Sequence, residues 1–425
     1  MSGERAAAGA GGAAGFLAPA AAALFGGRAP FRIRAWDGSE AGPEGAPVLV
    51  VRHPDALRRI AARPGELGAA RAYVAGELDA DGDLLEALRR VFAAVERSPA
   101  RPPGPAGLAR VLRAALVLGA AGRPPAPPPG EARRRVRLRR GERDRAAIAH
   151  HYDVSADFYR LLLDPSMAYS CAYWTSEEPG YTLADAQRDK LDLVCRKLGL
   201  DRAGDPELLD LGCGWGSLAL HAAERYGARV TAVTLSAEQA AFVRARAAER
   251  GLGGRVEAVH GHWRDAPGGG HRAIASIEMG EHVGRGRYRA FAARLAALAA
   301  PGGRVLVQQM SRRGARPGGG PFIESYIAPG MHMRPVGATV SDLEGAGLEV
   351  RGVQALREHY VRTARVWLDA LEAREAEAEA LIGAEGVRVW RLYLAGGSLA
   401  FEQGRMGVDQ VLAVRPGGGA GGGRR

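Results

Sequence analysis

From about His150 onward, short apolar runs of strand length alternate with stretches that repeat apolar residues at helical period. LLDLG, ARVTAVTLS, RVEAVHG, RAIASIEM and RVLVQQMS are the runs; SLALHAAERYG, AEQAAFVRARAAER and GRYRAFAARLAALAA lie between them. Successive parallel strands need a crossover, and a helix supplies it, so this order predicts a doubly wound, mostly parallel sheet. After Pro335 the pattern predicts a helix at SDLEGAG, a strand near EVRGVQAL, a long helical region from about Val361 and a last strand at VDQVLAVRP. The sheet then has seven strands.

The chain of 425 residues is long enough for two or three domains. Residues 1–28, rich in Ala and Gly, read as a flexible start. Residues 29–100 read as a small α+β domain: FRIRAWDG and APVLVVRH as strands, PDALRRIAARP and DLLEALRRVFAAVER as helices. Residues 101–145 form a Pro/Arg-rich linker in which LARVLRAALVLGAA is an amphipathic helix. The sheet domain spans 146–416, and 417–425 reads as a disordered tail.

Charge narrows the partners. The net charge is +11, nearly all of the excess is arginine, and eight arginines fall between Arg133 and Arg145. A basic chain prefers an anionic partner: nucleic acid, anionic lipid or a phosphorylated small molecule. Three cysteines with no CxxC spacing suggest neither a disulfide framework nor a zinc knuckle, and fit a reducing cytoplasm. No run approaches the length of a membrane span.

The first strand of the alternating region runs into Gly212-Cys213-Gly214-Trp215-Gly216, and a helix opens at Ser217. Glycines let the backbone turn sharply and let a ligand approach the helix N-terminus closely. Asp210 stands just before the loop. The spacing departs from the dinucleotide fingerprint GxGxxG, and the second strand ends Val233-Thr234-Leu235-Ser236, without the acid that a dinucleotide ribose needs.

DLGCGWG resembles motif I of class I S-adenosylmethionine methyltransferases. With HYDVSADFYRLLLDPSMAYSCAYW before it, and VTLSAEQ, EMGEHVG and REHYVRTARVW after it, the chain resembles the cyclopropane-fatty-acyl-phospholipid synthase family from roughly residue 145 to 416. The resemblance implies a Rossmann-like class I methyltransferase domain, preceded by the small α+β domain of the longer bacterial members. It also implies S-adenosylmethionine as cofactor. Tyr169 and Ser170 fall to its methionine end, Asp210, Gly212 and Gly214 to the loop, Thr234, Leu235 and Gln239 to the ribose region, and Trp263 with Arg264 to the adenine.

The implied reaction is attack of a cis double bond of a phospholipid acyl chain on the sulfonium methyl. An alkene is a feeble nucleophile, so alignment and exclusion of water supply much of the rate. Aromatic faces stabilise the resulting carbocation; candidates are Phe158, Tyr159, Tyr169, Tyr173, Trp174, Tyr326 and Trp367. A base then removes a proton to close the ring. In the family this base is a bound bicarbonate, and the resemblance carries its ligands onto Cys171 through its backbone, Glu281, Tyr360 and Gln308. Gln308 stands where the family commonly has a His; it can still donate a hydrogen bond but cannot carry charge.

Glu278, Glu281 and His282 form part of a zincin-like pattern whose first His is missing, and His150-His151 point apart on a helix, so no metal is expected. The expected protein is cytoplasmic and peripheral on an anionic inner membrane face, acts on unsaturated phospholipid acyl chains and binds no nucleic acid; a homodimer is left open. Other readings are a 10-methylene fatty acyl synthase, which methylates the same alkene but loses a different proton, a nucleic-acid-binding protein, and a noncatalytic lipid carrier. The last would not need the glycine loop.

Overall fold

A computed structural model describes residues 12–97, 103–120, 122–131, 155–284, 286–313 and 319–417. Two compact units emerge. The first joins residues 1–131 to two distant segments, 320–326 and 375–399; the second holds the remainder.

In the first unit, β1 (Arg32–Arg34), β2 (Glu40–Ala41), β3 (Val48–Val51) and β4 (Leu78–Ala80) form a sheet of order β2-β1-β3-β4. Its helices include α1 (Ala13–Leu24), α2 (Asp55–Ala62), α3 (Glu66–Val74), α4 (Leu84–Arg97) and α5 (Pro105–Val117). Helix α1 corrects the expectation of a flexible start. Ala14 and Leu17 are buried with Ile33, Val51 and Leu78. The free N–H groups that open α1 are capped from the β1–β2 turn: Ala13 N donates to Asp37 Oδ2 at 2.7 Å and Ala14 N to Ser39 Oγ at 2.9 Å. The cap comes from residues 24 and 25 positions away, so no local signal announces it. The two distant segments are tied in similarly. Arg388 Nη2 donates to Leu78 O at 2.8 Å and its guanidinium lies 4.1 Å from the Tyr73 ring, while Phe322 N donates to Glu66 Oε1.

The second unit opens with α6 (Ala156–Leu162) and α7 (Leu183–Leu198). Thr182 and Asp185 start α7 with a reciprocal capping box, and Gly199, at φ 78°, ends it. The alternation then runs β5 (Glu207–Leu211), α8 (Ser217–Tyr226), β6 (Arg229–Thr234), α9 (Ala237–Glu249), β7 (Val256–His260), β8 (His271–Ile277), α10 (Tyr288–Leu298), β9 (Ala299–Arg312), α11 (Val336–Gly345), β10 (Glu349–Ala355), α12 (Arg357–Ala373) and β11 (Met406–Val414); α13 (Glu375–Glu402), which precedes β11 in the chain, belongs to the first unit up to Leu399. The strand order is β10-β11-β9-β8-β5-β6-β7; β7, β6, β5, β8 and β9 are parallel neighbours, and β11 runs antiparallel to both β9 and β10. This is the mostly parallel seven-stranded sheet of a class I methyltransferase fold.

Alternation along the strands places side chains on opposite faces. Leu208, Val230, Ala232, Ala275 and Leu306 share one core, and Leu209, Leu211, Val233, Ile274 and Val305 the other. Strand order reverses between β5 and β8, which opens a crevice at their carboxyl ends, where doubly wound sheets bind ligands.

Candidate active site

The crevice is a pocket lined by residues from the ends of β5, β6 and β8 and by the irregular segment before α7. Of the residues expected at the cofactor, Tyr169, Ser170, Asp210, Gly212, Gly214, Thr234, Leu235, Gln239 and Trp263 all line it. Arg264 does not. It is exposed, and its guanidinium covers the ring of the pocket-lining Trp263 at 4.5 Å.

The glycine loop is built for close approach. Gly212 N and Cys213 N both donate to Val233 O, at 2.8 and 3.0 Å, which folds the loop back over β6. Gly212 has φ 82°, and a Cβ there would lie 2.6 Å from Met279. Gly214 has φ 54° and a Cβ there would meet nothing within 4 Å, so its open side belongs to the pocket.

Several polar atoms of the lining residues have no protein partner among the described residues. Asp210 Oδ2, Gln239 Nε2 and Trp215 Nε1 are buried and have no hydrogen-bond partner among the described residues. Gln239 is held by Thr234, whose hydroxyl donates to Gln239 Oε1 at 2.7 Å, and this turns the amide nitrogen away from that contact. Buried polar atoms left unpaired cost stability unless a ligand meets them.

The segment bearing Tyr169 to Trp174 has no regular secondary structure and is pinned from two helices. From α7, Gln187 Nε2 donates to Ser170 O at 2.8 Å and Lys190 Nζ to Ser170 Oγ at 2.9 Å. From α12, Thr363 Oγ1 accepts from Ala172 N at 3.2 Å, and His359 Nδ1 accepts from Trp174 N at 3.1 Å. Among the aromatic candidates, Tyr169 lines the pocket, with its ring 5.2 Å from Tyr159 and 5.3 Å from Trp367. Phe158, Tyr159 and Trp367 are core residues behind it, Tyr173 and Trp174 are partly buried, and Tyr326 belongs to the first unit.

Three of the four expected catalytic residues converge, but on a different carboxylate. Cys171 N donates to Glu278 Oε1 at 2.8 Å, Gln308 Nε2 to the same oxygen at 2.8 Å, and Tyr360 Oη to Glu278 Oε2 at 2.7 Å. Glu281 is elsewhere. It sits in a short 3-10 turn, Gly280–His282, where its Oε1 accepts from Met310 N at 2.5 Å and its Oε2 has no partner among the described residues. The expectation that Glu281 stands with Cys171, Tyr360 and Gln308 is therefore corrected. Two residues, Met279 and Gly280, lie between the two glutamates, and the carboxylates meet different partners.

The Gln308 amide is oriented by its neighbours. Lys197, a donor only, gives hydrogen bonds to Gln410 Oε1 at 2.7 Å; Gln410 Nε2 donates to Gln308 Oε1 at 2.8 Å; Gln308 Nε2 donates to Glu278. With an ammonium at one end and a carboxylate at the other, each amide has only one orientation that satisfies the chain.

Sequence reasoning saw Glu278 only as part of a metal pattern, and did not see Lys190 at all. Lys190 was legible in one respect: it is one of only two lysines in an arginine-rich chain. It is fully buried, where desolvation lowers its pKa while Glu278, Asp164 and Asp210 raise it.

Burial pushes Asp210 from its usual 3.8 up to about 7, with Lys190 pulling the other way. It pushes Glu281 from 4.5 up to about 8, helped by the neighbouring Glu278 charge. A carboxyl with a raised folded pKa contributes stability that is complete below its unfolded value and is lost as pH rises through the folded value. The urea midpoint of the full chain is thus expected to fall between about pH 5 and about pH 8. Asp210→Asn is expected to flatten the lower part of that decline; an unchanged slope would show that Asp210 is not buried as described.

Comparison with known proteins follows the same lines. The family described as mycolic acid cyclopropane synthetase matches residues 139–411. A probable fatty acid methyltransferase of Pseudomonas putida is 36% identical over 91% of this chain and 92% of its own length. A tuberculostearic acid methyltransferase of Mycobacterium tuberculosis is 33% identical over 91% of this chain and 88% of its own. Among solved structures, the mycolic acid cyclopropane synthase CmaA1 complexed with SAH and CTAB is similar with a TM-score of 0.59, at 33% identity, over 64% of this chain and 98% of that one.

Proposed function

Since the chain belongs to the mycolic acid cyclopropane synthetase family and is an S-adenosylmethionine-dependent C-methyltransferase acting on lipid, we propose that it methylates the cis double bond of unsaturated fatty acyl chains in phospholipids. One observation carries the reading. Unpartnered polar atoms of Asp210 and Gln239, and the open side of Gly214, share a pocket with the buried Glu278 carboxylate and the Tyr169 ring.

These residues fit the cofactor. Asp210 and Gln239 supply a buried acceptor and a buried donor, Gly214 admits close backbone approach, and Trp263 adds an aromatic ring to the lining. When bound, S-adenosylmethionine supplies an electrophilic methyl group. Tyr169 presents an aromatic face to the cation left on the acyl chain, and the Cys171 segment, bolted to α7 and α12, holds that face in place. Bicarbonate does not fit this arrangement, because the three donors expected for it, Cys171 N, Gln308 Nε2 and Tyr360 Oη, are engaged by Glu278.

The cation has two outlets. Loss of a proton from the new methyl closes a cyclopropane ring; a hydride shift onto the neighbouring carbon, then loss of a methyl proton, gives a methylene branch. The second reading is favoured by one finding: the relatives matched along nearly the whole chain carry the names of fatty acid and tuberculostearic acid methyltransferases. Incubation with methyl-labelled S-adenosylmethionine and oleoyl phospholipid vesicles, followed by proton NMR of the acyl product, tests the proposal. Label is expected in the lipid, and its absence would overturn the reading; ring or methylene protons decide the outlet.

We further propose that the protein works at an anionic membrane surface on the cytoplasmic side. The arginine run from Arg133 to Arg145 lies outside the described residues. Among the described residues no helix is long and apolar enough to cross a membrane. Helix α5, however, leaves Leu108, Leu112 and Leu116 exposed at four-residue spacing, 72% in the case of Leu116. A stripe of this kind is suited to burial among lipid headgroups. Leu112→Glu with Leu116→Glu is expected to weaken vesicle binding, read by sedimentation, by about 10²-fold, since each buried apolar side chain contributes on the order of 1.5 kcal/mol and two are lost. Undiminished sedimentation would leave the arginine run as the contact.

A further inference from the structure

The expected role of bicarbonate and the observed place of Glu278 compete for the same donors. A proton acceptor in this pocket must lie beside the acyl cation, be held by donors that leave a lone pair free, and remain basic near neutral pH. Glu278 meets each condition. It follows β8 directly, lines the pocket beside Met279 and Tyr169, and is partly accessible from it although protein surrounds its carboxylate. Three hydrogen bonds hold it, two on Oε1 and one on Oε2. Its backbone is at φ 51°, one of only two described non-glycine residues at positive φ, a conformation that costs on the order of 1–3 kcal/mol and persists where surrounding structure enforces it. The strain buys a side-chain direction that an extended backbone at this position would not give.

Resting on the methyltransferase reading above, we propose that the Glu278 carboxylate is itself the general base, in the place where a bound bicarbonate would otherwise sit. As the sulfonium C–S bond breaks, the alkene pair forms the new C–C bond and leaves the thioether and a cation on the acyl chain. For ring closure a methyl C–H bond then breaks and its electron pair forms the third ring bond; for the methylene a 1,2-hydride shift first moves the cation onto the methyl-bearing carbon, and the methyl C–H pair then forms the double bond. In both cases the proton goes to Glu278 and on to solvent. Desolvation raises the Glu278 pKa above the ordinary carboxylate value, which makes the group a stronger base, and the three donors and Lys190 oppose that rise.

The test needs no variant to begin. Wild-type turnover of oleoyl phospholipid vesicles is measured in buffer scrubbed of carbon dioxide and again with added bicarbonate. Equal rates are expected; a requirement for bicarbonate, with methyl transfer otherwise intact, overturns the proposal but leaves the methyltransferase reading standing. No methyl transfer in either buffer overturns both. Glu278→Gln is expected to lower turnover by about 10²-fold or more while S-adenosylhomocysteine binding, measured by calorimetry, is kept. Glu278→Gly relaxes the positive φ and empties the carboxylate's place between Cys171 N, Gln308 and Tyr360; its loss of activity is expected to be restored in part by bicarbonate or formate. Wild-type rates for either variant in scrubbed buffer would overturn the proposal.

Discussion

Gly214→Val is expected to abolish cofactor binding in a protein that still folds. Calorimetric titration with S-adenosylhomocysteine should show an affinity loss of about 10²-fold or more, roughly 2.7 kcal/mol. Two effects combine. Gly214 is at φ 54°, where a branched residue is strained, and its open side faces the pocket, so the valine methyls occupy space the cofactor needs. Gly212→Ala is the contrast. There the new Cβ would lie 2.6 Å from Met279 Cγ and 2.8 Å from its Cβ, so the damage falls on folding as well as binding. Wild-type affinity in a folded Gly214→Val protein would remove the loop from the cofactor site.

The second large effect is expected at Lys190. Its ammonium is fully buried, donates to Ser170 Oγ, and interacts with Glu278, Asp164 and Asp210. Lys190→Met keeps the stem and removes the charge, leaving buried carboxylates without their cation. Removing one partner of a buried ionic cluster costs about 3–5 kcal/mol, which should appear as a lower urea midpoint for the full chain. Lys190→Arg is not expected to rescue, because a planar guanidinium presents its donors in a fixed fork and not as the compact point charge that meets Ser170 Oγ here. Full stability in Lys190→Met would mean that the carboxylates are neutral at the pH tested, which a repeat at higher pH would expose.

The contrast between these two positions shows what local pattern carries. Gly214 was legible, because a strand that breaks into GxGxG before a helix states a backbone requirement within a few residues. So were the strands, whose apolar period reflects burial on both faces of a sheet, and the mostly parallel order, because helices between strands allow it. The small unit was less legible. Helix α1 depends on caps from Asp37 and Ser39, and the unit also includes residues 320–326 and 375–399, which no spacing rule connects to it.

The catalytic carboxylate marks the boundary most sharply. EMGEHVG offers two glutamates three residues apart, and the resemblance pointed to Glu281. Which one meets Cys171, Gln308 and Tyr360 depends on partners 107, 30 and 82 residues away, and on a left-handed backbone at Glu278 that side-chain identity does not announce. The sequence by itself determined the doubly wound sheet and the glycine loop, because these follow from periodicity and backbone freedom, while the three donors were implied by the family resemblance of its ordered motifs. Only the tertiary structure decided that the donors close on Glu278, because a hydrogen bond is set by direction and distance, and both arise when β8, β9, α12 and the segment before α7 pack together.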